Sequence, residues 1–241
     1  MFTWNHFIWL GLTAALVLGL FYFMQHKKAD FSFVLSFLWI ICIISELTKM
    51  LSNMVPTGYK GGSVLDPGDL PFHLCSIQIF LVFTLKFFVK KPETREKMLG
   101  FMVPTMLLGG FAAIMIPTVG VKFTKPHVYE YFLFHGTIIF FALYVLKERL
   151  VTWSWKVLGR NLCYAGLAAY VVSLVNSLLS SGFPEANFMY LVRPPMEGLP
   201  VLNLDHGWYV YILSLVSVAV VLLTVFHGVA ILVQNRSRCK C

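Results

Sequence analysis

The stretch GWYVYILSLVSVAVVLLTVFHGVAILV, Gly207 to Val233, runs for 27 residues without one Asp, Glu, Lys or Arg. About 20 apolar residues in a helix cover the hydrocarbon of a bilayer, and a helix apolar all round has no face to turn to water. The stretch therefore reads as a membrane crossing. Six more runs of this kind lie upstream, at about 4–24, 31–54, 70–89, 98–118, 128–146 and 158–181, separated by Pro, Gly or charged residues. Over the 241 residues, 58% are apolar and 12% charged, and the mean hydropathy is +0.76. A soluble domain carries roughly 25% charged residues. The 22 Phe, 10 Tyr and 6 Trp exclude a disordered chain, and five scattered Cys exclude a disulfide scaffold. The reading is an all-α integral membrane protein, a single polytopic domain over 1–241 built as a seven-transmembrane helix bundle, with 182–206 as an outer loop or cap.

The net charge of +8 orients the bundle. With the N-terminus outside and the C-terminus cytoplasmic, the inner side receives Lys27 and Lys28, the cluster Lys86 to Lys97, the group Lys147 to Arg160, and Arg236, Arg238 and Lys240. That is 14 of the 19 basic residues, leaving +10 inside and −2 outside. The basic groups rest on anionic lipid heads and call for no nucleic acid. The first run has its lysines after the apolar stretch and no small-residue cleavage site, so it reads as a retained span.

Polar side chains inside a span are costly and so point to function. Here they concentrate toward the outer ends. Glu46, Lys49 and Asn53 share one face of the second span. His73, Cys75 and Gln78 open the third. His127, Glu130 and His135 occupy the start of the fifth, and Ser173, Asn176, Ser177 and Ser180 the end of the sixth. Together they outline an outward-facing polar cavity. No GxxxxGK[ST], HExxH, GxSxG or CxxC pattern occurs, and the last span has no lysine for a retinal Schiff base.

The run LPFHLCSIQIF at Leu70 to Phe80, followed by FLFHG at Phe132 to Gly136, Val175-Asn176, and Asn187-Phe188-Met189-Tyr190-Leu191, resembles the YwaF-type bacterial integral membrane proteins. Those are similar to the eukaryotic transmembrane-protein-164 group. The resemblance spans about Leu70 to Tyr211 and departs from the family pattern at Ser76 and in the segment Asp205 to Tyr211. It implies a multi-pass protein, here of a bacterial cell membrane, with a seven-span fold. Through the eukaryotic branch it implies acyl transfer between lipids, with the motif cysteine as nucleophile.

Mapped residue by residue, the resemblance places His73, Cys75, His135, Asn176, Asn187 and Tyr190 at the site. The chemistry requires a nucleophile, a base and oxyanion donors. Cys75 supplies the thiol. On a continuous helix His73 lies about 200° from Cys75, so His135 is the better base and His73 an orienting group. Gln78, Asn176 or Asn187 could donate to an oxyanion, and Glu46 could hold an imidazole unless Lys49 engages it. Tyr190 and Asn187 would face the cavity from the 182–206 cap. Membrane lipids are the expected partners. No cofactor is expected, and His73, Cys75 and His135 lack any metal-ligand spacing, so no metal is expected either. The alternative is a protein that binds or transports a lipid or small solute without catalysis.

Overall fold

A computed structural model describes residues 3–54, 69–184, 186–196 and 198–238, apart from the side chains of 53, 54, 237 and 238. Asn53, Lys60, Arg238 and Lys240 of the charge and polarity reading thus fall, wholly or in their side chains, outside the described residues. Seven α-helices account for most of the described chain, and among the described residues there is no strand. They are α1 (Trp4–His26), α2 (Phe31–Met54), α3 (Leu74–Phe87), α4 (Pro92–Met115), α5 (Pro126–Lys147), α6 (Trp155–Leu179) and α7 (Trp208–Arg238), with a 3-10 turn over Phe188–Tyr190. Six are long and apolar enough to cross a membrane, and α3 is a shorter apolar helix. Helix starts follow local chemistry. Pro92 and Pro126 occupy first-turn positions where a missing N–H costs nothing, and the Ser154 hydroxyl accepts from Val157 N at 3.3 Å.

The chain divides into two compact units, residues 1–150 and 151–241. In the first, α5 is central, packed against α4, α2 and α1, while α3 packs on α4 and α2. Of the apolar stretch of α5, 72% is buried within the protein, against 17% for α1. This explains why α5 carries buried bulk on all sides, including Phe132, Phe134, Ile138, Phe140 and Phe141. At one end of this unit cationic side chains grip α1 and α2. Lys86 donates to Ser36 Oγ at 2.6 Å, Arg95 lies over Phe31 and Lys147 over Phe21. At the other end α1 holds the chain between α4 and α5: Trp9 Nε1 donates to Val121 O at 3.2 Å, and its ring stacks on Phe123 and Phe132.

The run read as 70–89 is helical only over Leu74–Phe87. Pro71 has no N–H to give, and His73 is the N-cap with extended backbone, φ −71° and ψ 153°. Fourteen residues rise about 21 Å, less than the roughly 30 Å of hydrocarbon.

In the second unit the segment after α6 is tied down by side chains. Asn176 donates from Nδ2 to Phe188 O at 3.1 Å and accepts from Phe188 N at 2.9 Å. Asn187 Oδ1 accepts from Val192 N and Arg193 N, both at 3.1 Å, while its Nδ2 donates to Arg193 O at 2.9 Å. From α7, Trp208 donates to Leu191 O and the Tyr211 hydroxyl to Tyr190 O. These bonds hold Met189 and Tyr190 at φ 53° and 57°, left-handed backbone that non-glycine residues avoid. Elsewhere in this unit Gln234 brackets the Trp153 backbone, and Asn161 Nδ2 donates to Nε2 of His227, whose Nδ1 donates to Leu223 O. His227 is a buried polar residue that the outer-end clustering had passed over.

Asn176→Ala leaves the buried N–H and C=O of Phe188 without this partner. We expect a loss of about 1–3 kcal/mol of stability and faster proteolysis within 182–206, read by thermal melting and limited digestion.

Candidate active site

The first unit gathers Cys75, His135, His73, Gln78 and Glu46. The geometry starts from α4, where Gly109 and Gly110 stand side by side, about 100° apart around the helix. A β-carbon on Gly109 would lie 3.6 Å from Cys75 N and 3.7 Å from Cys75 Cβ. On Gly110 it would lie 2.7 Å from Ile139 Cγ1 and 3.4 Å from His135 O. The bare backbone of this doublet thus receives the start of α3 on one side and the middle of α5 on the other. Cys75 and His135 are thereby brought to one level of α4. Gly109 is six residues short of the end of α4, so α3 begins within the depth of the unit.

Cys75 is the second residue of α3, in the turn whose amides have no acceptor within the helix. Cys75 is half-buried, and Ser76 and Lys49 are the polar and charged neighbours near enough to act on its sulfur. The Cys75 thiol is free, not in a disulfide.

His135 is buried in α5. Its Nδ1 lies 2.6 Å from Tyr131 O. A carbonyl only accepts, so Nδ1 carries the proton and Nε2 presents its lone pair; Nε2 is buried and has no hydrogen-bond partner. The Tyr131 ring, 4.2 Å from the imidazole, and Phe134 at 5.2 Å fix the ring plane. The Tyr131 hydroxyl donates to Ala113 O at 3.0 Å, tying α5 to α4 near the glycine doublet. His73 interacts electrostatically with His135. Because His73 caps α3 in extended backbone, the helical-wheel separation from Cys75 expected for a continuous span does not apply, and Pro71 is the reason.

Gln78 is fully buried. Its Nε2 donates to Leu74 O at 3.2 Å and to Thr105 Oγ1 at 3.0 Å, and its Oε1 has no partner. Thr105 Oγ1 sits 2.7 Å from Phe101 O, returning a donor one residue beyond Pro104 in α4. Glu46 is engaged by Lys49 at 2.7 Å, the alternative left open by their i, i+3 spacing. Among the described residues no three His, Cys, Asp or Glu side chains are grouped to hold a metal ion. In the second unit Asn176 and Asn187 spend their amides on the segment 187–193, and Tyr190 lends its carbonyl to Tyr211.

Sequence reasoning missed Gly109, Gly110, Thr105 and Tyr131. The glycine doublet was the available signal, since glycine weakens a helix unless something must approach its backbone closely.

The class is therefore a multi-pass helical membrane protein with a cysteine and a histidine drawn to one glycine doublet. A profile of the TMEM164 family matches residues 1–227, and the chain belongs to that family. No curated protein and no solved structure matches it.

Gly110→Ala must push α4 from α5. It should cost about 1–3 kcal/mol and alter the rate of Cys75 alkylation. Gly109→Ala meets only ordinary contacts and should fold like the parent, which thermal melting of the two variants distinguishes.

Proposed function

We propose that this protein is a membrane-embedded enzyme that transfers an acyl chain from one lipid to another through a thioester on Cys75. The observation that carries the proposal is the buried Nε2 of His135, without a partner among the described residues, on the stretch of α5 whose backbone meets Gly110 while Cys75 meets the adjacent Gly109. Nε2 takes the thiol proton as sulfur attacks the ester carbonyl of the donor lipid. A C–S bond forms, the ester C–O bond breaks, and the departing lipid oxygen takes the proton from Nε2. In the second half the hydroxyl of the acceptor gives its proton to Nε2 as its oxygen attacks the thioester. The C–S bond breaks, and the departing sulfur takes the proton back from Nε2, which restores the thiol and the neutral imidazole. The first amides of α3 are donors for the oxyanion of each tetrahedral intermediate. Gln78 and Thr105 keep the start of α3 seated on α4, and His73 tunes the charge near His135. Membership of the TMEM164 family is in keeping with this reading.

In the same reading all seven helices cross the bilayer, α3 with the help of the residues that lead into it. The N-terminus is outside, the C-terminus cytoplasmic, and the cysteine toward the outer leaflet. The chain functions as one domain of the YwaF type in a bacterial cell membrane, with membrane lipids as its partners. Glu46, held by Lys49, contributes as the partner of a cation that sits near Cys75.

Purified protein in nanodiscs, supplied with a donor lipid carrying a labelled acyl chain and an unlabelled monoacyl acceptor, should move label to the acceptor. Cys75→Ala should abolish transfer, and His135→Gln should slow it by about 100-fold or more. Transfer that persists in Cys75→Ala sinks the proposal. Lipid binding without any transfer by the parent protein would identify a binding protein instead.

A further inference from the structure

Apart from the Cys75 region, the first unit holds a second polar feature that the acyl-transfer scheme does not use. Between α2 and α5 lies a cavity of about 210 Å³, walled by Ile41, Ile44, Leu133 and Phe134. Ser45, Glu130 and Tyr129 also line it. The Ser45 hydroxyl donates to Glu130 Oε1. With that proton committed, the second carboxylate oxygen and the lone pairs of Ser45 remain as acceptors, beside the hydroxyls of Thr48 and Tyr129, which also line the cavity. A ligand that engages the Glu130 carboxylate must bring a donor.

Charge narrows the ligand further. Among the described residues the charged groups that act on Glu130 are Lys49, Glu46 and Asp69, and the Lys49 ammonium is engaged by Glu46 at 2.7 Å. Lys125 precedes Pro126 but does not line the cavity. A carboxylate or phosphate head would meet acids with no cation in the wall to receive it. An ammonium head would meet a carboxylate and the Tyr129 side chain, a pairing of acid and aromatic by which proteins bind alkylammonium groups. Tyr129 is held for this by Trp9, which meets its ring edge-on at 4.9 Å. The rest of the wall is aliphatic and aromatic, suited to the first methylenes of one chain, and the volume is too small for two acyl chains with a phosphate head.

We propose that this cavity is a binding site for a single-chain amphiphile with an ammonium head and no phosphate, a long-chain amine, whose nitrogen donates to Glu130 and whose chain lies along Ile41, Ile44 and Leu133. Glu130 gives the site its selectivity and Ser45 holds the carboxylate in place. The ligand enters from the lipid phase, where such amphiphiles concentrate. The site is independent of the chemistry proposed for Cys75.

The test uses the full-length protein in nanodiscs of neutral lipid, photolabelled with a diazirine-bearing dodecylamine and analysed by peptide mass spectrometry. Label is expected on residues 41–48 and 126–134. Dodecylamine should compete it away, while dodecanol, laurate and a dodecyl phosphocholine should compete about tenfold less well or not at all. Glu130→Gln should weaken labelling by about tenfold, the loss of one charge-assisted hydrogen bond. Ile44→Trp, at a half-exposed position whose enlargement fills the cavity, should block labelling with Glu130 intact. It serves as the readout should Glu130→Gln not fold. Equal competition by the alcohol or the phosphocholine overturns the proposal. So does label spread evenly over all the helices, or label unchanged in Glu130→Gln or Ile44→Trp.

Discussion

The absence of a β-carbon on Gly110 of α4 sets how closely α5 approaches in the first unit. A methyl group on Gly110 would stand 2.7 Å from Ile139, inside the radius at which atoms repel, and one on Gly109 would touch the backbone of Cys75. Helices in a membrane gain little from burying apolar surface against each other, because lipid tails are equally apolar, so close backbone contact supplies much of their cohesion. Gly110 therefore lets α5 sink into the centre of the unit, while the neighbouring Gly109 lies against the open end of a short helix at ordinary contact distance. Gly136 repeats the device on the other face of α5, where a β-carbon would meet Thr13 and Leu16 of α1 at 3.1 and 3.0 Å.

A second constraint is that polar groups away from water must find partners. The protein meets it mostly by local return. Thr13, Ser36, Thr137 and Thr224 each donate to the carbonyl four residues back, and His135 and His227 do the same through Nδ1. Against that background His135 Nε2 and Gln78 Oε1, buried and with no hydrogen-bond partner among the described residues, stand out. Returning one imidazole nitrogen to the backbone leaves the other with its lone pair exposed to whatever enters, the state a general base requires. Asn176 and Asn187 show the opposite outcome, since in each the amide nitrogen donates to a backbone carbonyl and the amide oxygen accepts from backbone N–H.

Much of the helical layout was legible because it depends on local facts: a run of apolar residues, a Pro at a first turn, a Ser before Trp155. The limits of α3 were legible only in part. Pro71 was in plain view, yet apolar residues on both sides of it made the run look continuous. The site was legible as a set of residue types gathered toward one end of several helices, and Cys75, His135 and Gln78 do lie in one unit. Glu46 was ambiguous by spacing alone, because an i+3 lysine can either neutralise it or leave it to a histidine. Gly109 and Gly110 passed unread because a glycine announces its purpose only when its neighbour is known.

By itself, then, the sequence determined that this is a helical membrane protein and where most of its helices run, since a bilayer demands about 20 apolar residues with backbone bonds closed within the segment. It also carried the family, through motifs short enough to be read in line. Only the tertiary structure decided which face of α4 meets Cys75 and which meets His135, which nitrogen of that histidine holds the proton, and that Ser45 answers Glu130 across 85 residues. Those are contacts between segments distant in the chain. Their partners are chosen by packing and by the need to satisfy buried polar atoms, and neither is written in the spacing of any one helix.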